Sequence, residues 1–109
     1  MFPIIPANSA TAASENDEGI FGYGSSYTAV TNLVSNAGVV SSDVAGVGTA
    51  RWGPGGCQYG EDKGIFGYGS ASGWAVTAVS NLVSNAGVVA SDVAGVGTAR
   101  GGVGACSFN

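Results

Sequence analysis

Apolar residues in this chain come in short runs, each broken by glycine, serine or asparagine, and the pattern of runs and breaks occurs twice. Gly19-Ile20-Phe21-Gly22-Tyr23-Gly24 returns as Gly64-Ile65-Phe66-Gly67-Tyr68-Gly69. The stretch from Leu33 to Val40 returns from Leu82 to Val89, and Ser42 to Arg51 returns unchanged from Ser91 to Arg100. Runs this short and rich in β-branched and aromatic residues predict strands, and the repeated glycines argue against long helices. Within each copy the pattern predicts a strand at Ile20–Tyr23 and a second within Thr28–Ser35. A turn follows at Asn36-Ala37-Gly38, where Asn and Gly tolerate positive φ. A third strand is expected at Val39–Ser42, then a loop over Asp43–Gly48. A small-residue strand is expected at Gly55–Tyr59, and Gly60–Lys63 turns the chain into the second copy.

The repeat distance is 45 residues between Gly19 and Gly64 but 49 between Leu33 and Leu82. The difference places a four-residue insertion at Ser72-Gly73-Trp74-Ala75, and insertions mark loops. The expected organisation is an extended arm and linker over 1–16, one β repeat over 17–60 and a second over 61–109. Repeated units of this kind stack because none buries its apolar face alone.

Composition sharpens that reading. Of 109 residues, 45% are hydrophobic and only 9% charged, against about 25% charged in an ordinary domain. So sparsely charged a surface suits a protein covered by copies of itself. Three basic residues and a net charge of -4 leave no patch for nucleic acid, and anionic membranes are disfavoured. No apolar run approaches the ~18 residues of a membrane span. The opening Met1-Phe2-Pro3-Ile4-Ile5-Pro6 lacks a basic segment and reads as a docking arm carried by Phe2, Ile4 and Ile5 rather than a signal peptide.

The phrase Asp62-Lys63-Gly64-Ile65-Phe66-Gly67-Tyr68-Gly69, with Thr49-Ala50-Arg51 and Thr98-Ala99-Arg100, resembles the turn, second strand and outer-strand arginine of a kelch-like β-propeller repeat. The whole wording is also similar to a repeat found in structural proteins of environmental bacteriophages. These resemblances imply an all-β chain of two propeller-blade-like four-stranded repeats, with the ring completed by oligomerisation. A two-layer β-sandwich is the alternative. They also imply a place in a virion (tail, fibre or capsid decoration), the alternatives being extracellular or cytoplasmic. Closed propellers need about four to eight blades, so several copies would have to combine. Phage fibres are commonly trimeric, which favours three copies. Other virion proteins would then be met through the arm.

In kelch terms the first repeat begins one strand late. The stretch Gly101–Phe108 corresponds to an inner strand. Val103, Ala105, Cys106 and Phe108 are therefore expected to complete the first blade of a neighbouring copy by β-addition.

Chemistry for catalysis is sparse. The chain has no histidine and two cysteines, Cys57 and Cys106, at equivalent repeat positions. An enzyme is not expected, and neither a cofactor nor a metal is indicated. The acidic groups around Glu18 and Asp62 read as solvated turns. Asp43 and Asp92 are expected to bond nearby backbone N–H groups, and Arg51 and Arg100 to bridge blades or pair with those aspartates. Tyr27, Trp52, Tyr59 and Trp74 fall in or near expected loops, where aromatic rings can stack on sugars or anchor partners. The leading expectation is a structural, self-assembling protein. The alternative is a lectin-like propeller that recognises surface glycans.

Overall fold

The computed structural model describes residues 17–108, and the strands form small antiparallel sheets with no helix among the described residues. In the first sheet β1 (Gly19–Gly22) pairs with β2 (Thr31–Val34). In the second, β4 (Lys63–Gly67) lies between β3 (Gly55–Tyr59) and β7 (Ser80–Val83). A two-residue hairpin of β5 (Ser70–Ala71) and β6 (Ala75–Val76) carries the inserted Ser72, Gly73 and Trp74 in its turn and Ala75 at the start of β6. The repeat of the sequence is a repeat of the pairing. Phe21 faces Asn32 as Phe66 faces Asn81, and Ile20 faces Leu33 as Ile65 faces Leu82.

The strand expected at Val39–Ser42 is reduced to single bridges, Val34 with Val40 and Thr31 with Val44. The second copy matches it, with Val83 against Val89 and Ser80 against Val93. The cause is a polar side chain inserted into the ladder. The Asn32 amide donates to the Ser41 carbonyl at 3.1 Å and to Asp43 at 2.9 Å, where backbone would otherwise pair with backbone. Asn81 does the same to Ala90 and Asp92.

Sheets and repeats are cut at different places. β3 lies in the first copy of the sequence, yet it pairs with β4 of the second. The second sheet therefore has a strand, β3, with no counterpart beside β1 among the described residues.

The buried interior is small and lies largely where the repeats meet. It combines Tyr23, Ala29, Val83 and Val89 with the polar Thr31, Arg51, Ser70 and Asn81. The Phe66 ring crosses from the second sheet to lie against Gly22, where a Cβ would stand 2.9 Å from it. It meets Tyr23 edge-on at 5.2 Å. Only a residue without a side chain admits that approach. Tyr23 and Tyr68, at equivalent positions, hold left-handed backbone with φ of 64° and 66°. Such strain costs about 1–3 kcal/mol at a bulky residue and persists only where surroundings enforce it. Here each tyrosine hydroxyl donates to a loop carbonyl, Val47 at 3.0 Å and Val96 at 2.9 Å.

Candidate functional site

Three features stand out, and the first is the unpaired edge of β1. Among the described residues β1 has β2 on one side and no strand on the other. A cleft of about 860 Å³ is lined by β1 residues Ile20 and Phe21 together with Cys57 and Gln58 of β3. Phe21 is 63% exposed.

The second feature is the segment 101–108, which forms no strand. It begins beside β3, where the Gly102 amide donates to the Gly53 carbonyl at 3.2 Å. Val103 and Ala105 press on Gly55, each within 2.9 Å of where a Cβ would stand. Cys106 and Phe108 are exposed, Phe108 by 93%. The segment thus lies alongside its own sequence equivalent, β3, and away from β1.

The third feature is a polar seam joining the two repeats. Arg51 is fully buried, with its guanidinium 4.5 Å from the centre of the Tyr23 ring. Its Nη2 donates to Asn81 Oδ1 at 2.7 Å, and its Nη1 stands 4.0 Å from Asp92. Arg51 Nε and Nη1 have no hydrogen-bond partner, so Asn81 and the tyrosine face carry most of the compensation. Asp92 accepts from the Thr49 hydroxyl at 2.6 Å, the Thr49 amide at 3.0 Å and Asn81 Nδ2 at 2.9 Å. The Thr49 hydroxyl, helped by Asn81, the Thr49 amide and Arg51, holds this carboxyl below its ordinary value of 3.8. Burial pushes the Tyr23 phenol up, against the pull of Arg51.

Arg51 therefore bridges the repeats, as the sequence reading expected. Asp92 departs from its expected local turn by bonding Thr49 of the other repeat, because the loops of the two copies abut there. The equivalent Arg100 stacks on Tyr68 at 4.6 Å and donates to the Thr98 carbonyl at 2.9 Å, but it is exposed. The sequence reading gives no role to Asn81, and Thr49 enters it only as part of the Thr-Ala-Arg motif. The available signal was a polar residue kept inside an apolar run in both copies.

Of the four aromatic candidates, two come together. Trp52 and Trp74 meet edge-on at 6.3 Å and are 40% and 73% exposed. Trp52 is tied to Ser70 by two 3.0 Å backbone bonds, and Trp74 sits in the β5–β6 turn with φ of 63°. Tyr59 lies at the far end of β3, with the Lys63 amine 5.7 Å from its ring centre. Tyr27 lies in the turn before Thr28 and is partly buried. The arm residues Phe2, Ile4 and Ile5 lie outside the described residues. Among the described residues no three His, Cys, Asp or Glu side chains gather at metal-binding distance. Cys57 and Cys106 are both free thiols. No protein-family model, curated protein or solved structure matches the chain.

Proposed function

We propose that this chain is a non-enzymatic assembly protein whose copies join head to tail into a propeller-like ring, with virion structure as its setting. One observation carries the reading. Among the described residues the first sheet lacks the strand that the second has, and 101–108 repeats that strand's position in the sequence while pairing with none of them as a strand. If a second copy follows the register of β3 on β4, Cys106 pairs with its Ile20 and Ala105 with its Phe21. The cleft beside β1 is where that strand enters. Three copies, giving six blades, remain the favoured closure.

Backbone hydrogen bonds contribute about 0.5–1.5 kcal/mol each, so a short added strand gives several kcal/mol. Association costs a comparable amount, about 4–15 kcal/mol. Strand addition must therefore act together with burial of the repeat flanks. Removing residues 101–109 is expected to reduce the assembly to single chains, as read by light scattering. A truncated protein of unchanged native mass would overturn the strand-addition reading.

A second reading rests on the Trp52–Trp74 pair, two exposed indoles held at one edge that could stack on a sugar ring. Glycan-array binding lost in Trp52→Ala and Trp74→Ala would support a lectin role. An array silent for the wild-type protein would remove it.

A further inference from the structure

The seam between the two repeats has a donor half and an acceptor half, and each half occurs twice in the chain. The donor half is Thr49 with Arg51, and its second instance is Thr98 with Arg100. The acceptor half is Asn81 with Asp92, and its second instance is Asn32 with Asp43. Within the chain the first donor half meets the second acceptor half. That leaves Thr98 and Arg100 on one flank of the molecule, and Asn32 and Asp43 on the other.

The leftover halves are built and waiting. Asn32 Nδ2 already donates to Asp43 at 2.9 Å, as Asn81 does to Asp92, so the acceptor geometry is set before any partner arrives. Arg100 lies over Tyr68 at 4.6 Å, as Arg51 lies over Tyr23 at 4.5 Å, so the donor is held in the same stacked position. The apolar surroundings follow the same rule. In the joined seam Leu33 packs where a Cβ on Gly87 would stand, whereas Leu82 is 40% exposed and Gly38 has open space. In the joined seam Phe66 lies on Gly22 and Tyr23, whereas Phe21 is exposed. The charges are complementary, a cation on one flank and a carboxylate on the other.

We infer that Thr98 and Arg100 of one copy close onto Asp43 and Asn32 of a second copy, rebuilding the Arg51–Asn81–Asp92 seam between chains. The inference rests on the head-to-tail assembly proposed above and names the contact that specifies it. Desolvation makes the contact selective. A buried guanidinium needs its amide and carboxylate partners in place, so a wrong flank is rejected more strongly than the right one is held.

The test is a double-mutant cycle on subunit dissociation, read by sedimentation velocity over a dilution series, with circular dichroism to confirm folding. Arg100→Ala and Asp43→Asn are each expected to weaken assembly about 10- to 100-fold, the range for a charge-assisted hydrogen bond. Because both residues belong to one network joined through Asn32, as Arg51 and Asp92 are joined through Asn81, the double variant should lose clearly less than the product of the two. Both residues are exposed in the single chain, so the variants should fold as the wild type does. Wild-type protein that is a single chain at all concentrations would overturn this inference and the assembly reading together. Oligomeric wild type that loses its assembly on removal of 101–109, yet is unmoved by either substitution, would overturn the seam alone. So would losses that simply multiply.

Discussion

Arg51 is the residue on which the joining of the two repeats turns. A fully buried guanidinium is destabilising unless it is compensated, and here compensation comes from Asn81, Asp92 and the face of Tyr23. Asn81→Ala removes the 2.7 Å acceptor and should lower stability by about 3 kcal/mol, seen as an earlier urea midpoint. Its counterpart Asn32→Ala, facing the outer flank, should cost the single chain distinctly less. The same seam sets an acid response. Asp92 is held below its ordinary value of 3.8, chiefly by Thr49. A carboxyl whose folded value is depressed binds fewer protons folded than unfolded. Its stabilisation is therefore present above about the ordinary value and is lost as pH falls through the lower, folded one. Denaturation midpoints measured at descending pH should fall faster for the wild type than for Asp92→Asn across that acid window.

At the scale of the element, two equivalent turns separate backbone strain from packing. Gly38 and Gly87 both hold left-handed backbone, with φ of 81° and 79°. An alanine carries the same strain at both, about 1 kcal/mol. Only at Gly87 does a Cβ also meet Leu33 of the other repeat, at 2.7 Å from its Cδ2. Thermal unfolding should show Gly87→Ala as clearly the more destabilising of the pair. If a second copy brings its Leu82 to Gly38, the Gly38→Ala variant should instead fold well and assemble poorly. Equal effects of the two substitutions on folding would mean that the inter-repeat packing at Leu33 contributes little.

The whole molecule presents two unlike flanks, one carrying Phe21, Asn32 and Asp43, the other Tyr68, Leu82 and Arg100. Contact between unlike flanks is heterologous, so it closes into a ring or grows into a filament. The proposed strand register makes closure measurable. In a Cys57→Ser background, Ile20→Cys should be captured by Cys106 of a second copy on mild oxidation, giving a ladder of covalent oligomers without reductant. Phe21→Cys, one position out of register and pointing to the other face, should be captured far less. If the copies close into a ring as proposed, native mass without cross-linking would give their number, for which three is expected.

The chain's own wording was enough to establish that it folds as strands. Two copies of a pattern rich in β-branched residues and glycine could scarcely form anything but strands: the Thr28–Ser35 and Gly55–Tyr59 readings contain observed strands, and the Ile20–Tyr23 reading overlaps β1, which runs one residue earlier. The insertion at Ser72–Ala75 was legible as a loop because a repeat shows where it is interrupted. What the wording could not settle was which polar residues would be buried. Asn32 and Asn81 look like ordinary strand residues, and only the folded chain shows them breaking the third-strand ladder. Arg51 looks like its twin Arg100. One is buried and the other exposed because the next repeat covers the first and nothing among the described residues covers the second. Local pattern fixes the conformation of a segment through its own backbone and side-chain sterics. Burial depends on what arrives from elsewhere in the chain, and that is decided only when the sheets pack.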